Sequence, residues 1–381
     1  MEYHEYANLF PMMSHDEIKM LCEDMQEHGY DSGQPITLYN GLILDGRNRQ
    51  LAADTVGVTA NYIEYAGEDP LAFVLSRNLH RRHLNESQRA IVASRLATMH
   101  LGDNQYKSGS ANLQTLSQSE AAEKLNVSPR TVATVKAIER DAPEYIPRIE
   151  SGEMTANEAN KKVKENHRIQ ERADMAEIGA SVKPEERWCV YNGDIETWTA
   201  PRQYDFIITD PPYPKEYLPL WETLAKRAVE WLKPGGLLIA MSGQSYLDQI
   251  YEMMSKHLSY YWTAAYLTPG QPTPLRQVNV NTTWKPLLIF SNGKYSGRIF
   301  GDVFTSNGND KDFHKWGQSE SGMYDVISGI CLPGQYILDP FCGAGTTGVA
   351  TLKHGCLFDG LEIDIENVNI SKARLNDRAQ T

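Results

Sequence analysis

The sequence predicts an α/β protein in which a mainly parallel sheet, covered by helices on both faces, follows an α+β segment and a helical one. Two patterns and a change of texture carry that expectation. After residue 187, short apolar runs at 204–209, 237–241, 287–290, 336–338 and 357–361 alternate with helical stretches at 217–232, 246–257, 346–354 and 365–378. Strands that alternate with helices build a parallel sheet wrapped on both sides, because each crossover must return the chain to the same end of the sheet. Before residue 76 short strands and helices are mixed, and residues 76–165 read as helix for most of their length. The expected division is 1–75, 76–165, a charged helical linker at 166–187, and 188–381.

Each element has a local reason. Residues 15–28 carry Ile18, Leu21, Cys22 and Met25 at helical spacing, and Gly29 stops them. Residues 35–39 and 42–44 alternate around Asn40-Gly41, a strong hairpin turn. A short helix at 49–54 and a strand at 60–65 follow. Residues 117–125 and 128–138 read as two helices across the tight turn Asn126-Val127; Ser128 suits an N-cap and Pro129 the first helical position. Two short helices so joined are the pattern of a helix-turn-helix, although Ala121, Leu125, Val127, Val132 and Val135 would serve as core in any packed pair. Thr155 and Glu158 form a capping box that opens a further helix, solvated and mixed in charge over 161–175, before a linker at 179–186.

Composition bounds the function. Net charge is −12, which argues against a protein that is basic throughout. Between Val74 and Arg140, however, ten basic residues face five acids, leaving +5 in a segment able to hold a polyanion. The five cysteines are spread without a CxxC pair, so neither a zinc site nor a disulfide framework is expected, and no metal is assigned. MEYHEYANLF lacks the basic and apolar regions of a signal peptide, and no apolar run approaches the ~18 residues of a membrane helix. A cytoplasmic protein without membrane contact is expected.

Two motifs stand at the carboxyl ends of strands, where open α/β sheets bind their ligands. Asp210-Pro211-Pro212-Tyr213 follows 204–209, and Asp339-Pro-Phe-Cys-Gly-Ala-Gly-Thr-Thr-Gly348 follows 336–338. The first suits the methylation of a base amine. Such a nitrogen is a poor nucleophile because its lone pair is delocalised into the ring. A carboxylate and a carbonyl that accept its two N–H bonds pull it toward a pyramidal geometry; Asp210 and the Pro211 carbonyl can supply these. The prolines stiffen the loop and Tyr213 offers a flat face to an extruded base. The same tetrapeptide also reads as a strand that ends in a turn. In the second motif, Gly343 and Gly345 let a ligand approach the backbone, and Glu362, one strand later, can accept from a ribose diol. No Gly-Lys-Ser/Thr follows, so a phosphate loop is not expected, whereas a dinucleotide fold remains open.

Together these motifs, with Asn192-Gly-Asp194, Leu232-Lys-Pro-Gly-Gly236 and Gly360-Leu-Glu-Ile-Asp364, resemble the amino-methylating DNA methyltransferases of the beta arrangement over residues 188–378. The resemblance implies a Rossmann-like methyltransferase domain, S-adenosylmethionine as donor, double-stranded DNA as partner and direct in-line transfer. It makes Asp210, Pro211, Pro212 and Tyr213 the catalytic loop. It places Asp194, Asp339, Phe341, Gly343, Gly345, Thr346 and Glu362 around the cofactor. This chain has His314-Lys-Trp-Gly-Gln-Ser-Glu320 where the family often has His-Pro-x-Gln-Lys-Pro, and Gln318 and Ser319 fall there toward the methionine end. Asp210 implies adenine N6, since cytosine-N4 enzymes more often carry serine; cytosine N4 and an RNA substrate stay open. Carbon methylation needs a Pro-Cys pair that the chain lacks. Protein-glutamine methylation resembles Asn-Pro-Pro-Tyr placed after the glycine loop. Residues 279–283 and 296–313 are the candidates for target recognition.

The first half resembles the ParB-like nuclease or partition domain over about 6–163, through Asp45-Gly-Arg-Asn-Arg49, Arg77-Asn-Leu-His-Arg81 and the helix pair. That resemblance implies DNA binding through Arg130, Thr131 and Lys136, and a cytidine triphosphate (CTP) site at Gly46, Arg47, Arg49, Asn78 and Arg81. Arginine forks suit phosphates, but Arg77 stands where many members carry glutamate. The related sulfiredoxins carry a cysteine in the turn, which Gly46-Arg-Asn-Arg49 lacks. Three roles are weighed: a domain that only grips DNA, a CTP-gated clamp, and a regulator whose methyltransferase half is vestigial. A homodimer and a place in a restriction-modification system are open.

Overall fold

The computed structural model describes residues 1–81, 84–99, 116–268, 273–275, 278–307 and 319–379, without the side chains of 79–81 and 273. The chain divides into two compact units, Met1–Asn166 and His167–Thr381.

The first unit opens with α1 (His15–His28), where Ser14 and Glu17 form a capping box. The strands β1 (Ile36–Tyr39) and β2 (Leu42–Asp45) follow. Asn40 and Gly41 both take positive φ (52° and 77°), the geometry of a tight two-residue hairpin. Helix α2 (Arg47–Val56) begins at Gly46, earlier than the expected residue 49. With β3 (Tyr62–Glu64), a three-stranded sheet forms in the order β2-β1-β3. Helices follow among the described residues: α3 (Pro70–Arg81), α4 (Glu86–Thr98), α5 (Gln118–Lys124), α6 (Pro129–Asp141), α7 (Ile146–Glu150) and α8 (Ala156–Ala180). Asn126, at φ 50°, turns the chain between α5 and α6, and Ser128 caps α6 by accepting from the Thr131 N–H. Ala121, Leu125, Val132, Val135 and Ile138 of this pair close on Ile91, Ala93 and Leu96 of α4 in one core. α8 is a single helix through the stretch read as a solvated connecting helix and stops at Ala180, where the expected linker at 179–186 begins; the division between units falls within α8.

The second unit is built on β4 (Trp188–Asn192), β5 (Tyr204–Thr209), α9 (Pro219–Trp231), β6 (Leu232–Met241), α10 (Leu247–Ser255), β7 (Ser259–Leu267), β8 (Thr273–Leu275), β9 (Val280–Thr282), β10 (Trp284–Ser291), β11 (Val303–Thr305), α11 (Glu320–Ile330), β12 (Tyr336–Asp339), α12 (Thr346–Lys353), β13 (Leu357–Glu362) and α13 (Ile365–Ala379). Eight strands lie in the order β11-β7-β10-β6-β5-β12-β13-β4. Neighbours run parallel except β10, which is antiparallel to both β6 and β7. The sheet is thus mixed. β8 and β9 form a separate antiparallel ribbon.

Adjacent residues of β5 serve opposite faces, as the strand period demands. Ile207 packs with Trp221, Leu224 and Trp231 of α9, whereas Phe206 and Ile208 pack with Met323, Val326, Ile327 and Ile330 of α11. Each such fully buried aliphatic side chain is worth roughly 1.5–3 kcal/mol. The segment 232–236 begins β6: Leu232 pairs with Tyr204 before a bulge, and the N–H of Gly235, at φ 81°, donates to the Asn292 carbonyl. No helix among the described residues is long and apolar enough to cross a membrane.

Candidate active site

β5 and β12 are neighbours in the sheet although far apart in sequence, with Leu338 paired to Ile207. β6 continues on one side of this pair and β13 on the other, so the chain order reverses here and leaves a crevice beyond the strand ends. Both sequence motifs open into it.

Thr209, the last residue of β5, is buried and donates from Oγ1 to Asp339 Oδ1 at 2.6 Å. Thr347 Oγ1 donates to Asp339 Oδ2 at 2.6 Å, and the Phe341 N–H reaches Oδ1 at 3.0 Å. Burial pushes the Asp339 carboxyl from 3.8 to about 6; the three hydrogen bonds act the other way, and the nearby Asp210 charge adds to the rise. Asp339, expected at the cofactor, is buried and ties β5 to the glycine loop.

In the Asp210–Tyr213 loop the Tyr213 hydroxyl donates to Asp210 Oδ1. Burial, and then the Asp210 charge, push the phenol well above its ordinary value, so it stays protonated. Lys285 Nζ stands 3.4 Å from the Tyr213 oxygen and 5.1 Å from the ring centroid. Pro211 is buried and Pro212 half-buried.

The glycine loop lies between β12 and α12. Gly343 has φ 50°, donates its N–H to Glu362 Oε2 at 2.9 Å, and meets open space where a Cβ would stand. Gly345 has φ 82°, and a Cβ there would strike Ser371. From α13, the buried Arg374 guanidinium donates to the Ala344 carbonyl at 2.5 Å and to Thr346 Oγ1 at 3.3 Å, and pairs with Glu320 of α11. Glu362 also accepts the Asp364 N–H on Oε1 at 2.9 Å. Asn192 donates to the Glu362 and Ile363 carbonyls at 3.0 and 2.9 Å, which brings the end of β4, and the exposed Asp194 beyond it, to the end of β13. Phe341 is half-buried and packs on the α9 side of the sheet. Ser319 caps α11 and its Oγ is 2.7 Å from Ser321 Oγ. Gln318 lies outside the described residues.

The two candidate recognition segments part. Residues 280–282 form β9 and lead into β10 at the strand end that carries Asp210, since Leu287 pairs with Met241. Residues 296–302 leave the other end of β10, where Asn292 meets Gly235, and residues 308–313 lie outside the described residues. Lys285, Thr209 and Arg374 were not singled out in the sequence. Only the Lys285 position carried a signal, a lysine at the start of an obvious apolar strand.

In the first unit Arg130 is exposed at the start of α6, whereas the Thr131 hydroxyl turns to Glu86 Oε1 at 2.9 Å and Lys136 is half-buried. Gly46 takes φ 106°. Arg47 donates to Asn8 Oδ1 at 2.8 Å and to the Phe10 carbonyl at 2.5 Å. Arg49 donates to the Gln34 carbonyl at 2.6 Å and pairs with Asp45 at 2.9 Å. Asn78 bonds back to the Val74 carbonyl at 3.0 Å; the Arg81 side chain lies outside the described residues. Among the described residues no group of three His, Cys, Asp or Glu is placed to hold a metal.

Residues 292–373 match the DNA methylase family model N6_N4_Mtase. The matched stretch contains the glycine loop and Glu362 and begins after the Asp210 loop. Type II methyltransferase M2.DpnII of Streptococcus pneumoniae is 33% identical over 91 residues, which is 22% of this chain and 34% of that protein. Type II methyltransferase M2.LlaDCHI of Lactococcus lactis subsp. cremoris is 35% identical over 89 residues, 22% of this chain and 33% of its own length. The chain thus spans about a third of the length of these curated relatives. The crystal structure of the M1.HpyAVI–SAM complex aligns with 50% of this chain and 99% of its own at 23% identity, with a TM-score of 0.42.

Proposed function

We propose that this chain transfers a methyl group from S-adenosylmethionine to adenine N6 in double-stranded DNA. The observation that carries the reading is the meeting, at the ends of neighbouring strands, of the Asp210–Tyr213 pair with the glycine loop braced by Asp339 and Glu362. The family match over residues 292–373 and the similarity to type II methyltransferases support it.

The residues fit a nucleoside donor. Gly343 leaves open space where a side chain would stand, and the half-buried Glu362 carboxylate beside it can accept from a ribose diol. When bound, the donor supplies an electrophilic methyl group on a sulfonium. The chain's own residues prepare the acceptor: Asp210 and the Pro211 carbonyl accept the two amine N–H bonds and direct the lone pair outward. Tyr213, neutral throughout the ordinary pH range, stacks the extruded base. Positioning and fixed dipoles supply most of the acceleration. Asp210 favours adenine over cytosine.

In the same reading the first unit is ParB-like and holds DNA through the α5–α6 pair, with the exposed Arg130 at its contact face. CTP would have to draw Arg47 and Arg49 from the acceptors they now hold. The test is methyl transfer to duplex DNA followed by nucleoside analysis. N6-methyladenine that depends on Asp210 supports the reading, N4-methylcytosine corrects the base, and silence on DNA favours a regulator with an idle second half.

A further inference from the structure

Three side chains form one continuous chain at the catalytic end of the sheet: Lys285, Tyr213 and Asp210. Tyr213 donates to Asp210, and its oxygen keeps lone pairs that face the Lys285 ammonium 3.4 Å away. The same ammonium lies 5.1 Å from the ring centroid, within reach of a cation–π attraction. Lys285 is held from the other side. It is the second residue of β10, in register with Tyr266 of β7, and the preceding Trp284 carbonyl accepts from Gln244 Nε2 at 3.2 Å. Gly243, in the loop after β6, leaves the Tyr213 ring in ordinary contact distance of where its Cβ would stand. A lysine fixed by strand pairing therefore reaches a tyrosine fixed by a proline-stiffened loop.

We propose that Lys285 is a positioning residue for Tyr213, which turns the phenol so that its hydroxyl caps Asp210 until a base amine arrives. The inference rests on the methylation reading and deepens it. Before substrate enters, the acceptor that the amine requires on Asp210 Oδ1 is taken by the tyrosine hydroxyl. When the amine takes its place, the freed phenol keeps the ammonium beside it, and the ring stays aligned for stacking. Donor and acceptor in series polarise one another, so the arrangement acts as a unit.

A double-mutant cycle on the full chain tests this. With duplex DNA and saturating donor, Lys285→Met should lower kcat by roughly tenfold while the Kd for S-adenosylmethionine stays within about twofold. Lys285→Arg, which keeps the charge, should recover most of the loss. In a Tyr213→Phe background, which keeps the ring and removes the hydroxyl, Lys285→Met should cost less than about threefold, because the contact it serves is already gone. Equal losses in both backgrounds, with a raised KM for DNA and a shallower salt dependence, would overturn the proposal and make Lys285 a phosphate contact. A second readout needs no activity: the lysine ammonium resonance missing in Lys285→Arg should shift in Tyr213→Phe. If it stays put, the proposal fails whether or not DNA is methylated. If it moves while the parent is silent on DNA, the methylation reading fails and the positioning contact stands.

Discussion

Asp339 has both carboxylate oxygens inside the protein, on Thr209, Thr347 and the Phe341 N–H. Its pKa is pushed up from 3.8 to about 6, chiefly by burial. Between those two values the folded protein therefore holds a proton that the unfolded chain releases. This carboxyl's contribution to stability is fully present below pH 3.8 and is lost as the pH rises through about 6, a change of about 2–3 kcal/mol at ~1.4 kcal/mol per unit. Asp339→Asn can keep the same partners through its amide without ionising. The parent should lose urea-unfolding midpoint relative to the variant between pH 4 and 7, and a constant difference across that range would show that Asp339 does not titrate there. At this scale Asp210, Tyr213, Gly343 and Glu362 could be singled out as candidates, because each stands in one short motif of the sequence. Thr209, Lys285 and Arg374 could not, because their roles depend on which strands and helices become neighbours.

Arg374 shows what elements contribute. From α13 it reaches the Ala344 carbonyl in the glycine loop and Glu320 at the start of α11, so three elements meet on one guanidinium. Burial lowers its pKa, opposed by Glu320, yet its partners keep the charge worthwhile. Since Glu320 is partly solvated, Arg374→Ala should destabilise by about 1–3 kcal/mol rather than the larger figure for a fully buried pair. It should also weaken S-adenosylmethionine binding by about tenfold, because Ala344 loses the donor that orients its peptide. Calorimetric titration and urea unfolding read the two effects separately; undiminished affinity would show that the loop holds its shape without Arg374. Elements with a single period were legible: the five apolar runs all lie in strands, and Ser128-Pro129 opens a helix. β7 was missed because it is aromatic and half-exposed, with Tyr260, Tyr261 and Trp262 all open to solvent. α11 was missed because its apolar residues are interrupted by Gly322, Asp325 and Gly329, and its face is evident only against β5 and β6.

At the scale of the whole chain, the motif order has a structural reason. The Asp210 loop precedes the glycine loop in sequence, yet β5 and β12 are neighbours, so the two motifs meet at the reversal of strand order. Sequence could supply the order of the motifs but not the neighbour relation, which long-range pairing creates. The net charge of −12 hides the basic stretch of the first half, so composition alone would have pointed away from a polyanion. If the first unit takes a triphosphate, labelled CTP should bind the full chain and binding should fall at least tenfold in Arg47→Ala; absent binding, or equal binding in both, would leave that unit as a DNA grip alone.

The most direct test of the central claim is methyl transfer from labelled S-adenosylmethionine to duplex DNA of varied sequence, with Asp210→Ala in parallel and mass spectrometry of the released nucleosides. The account predicts N6-methyladenine from the parent and a loss of about 10²–10³-fold or more in the variant, with donor binding retained. Label that enters DNA equally in both proteins, or never enters it while the donor binds, would contradict the assignment of Asp210 and of the reaction.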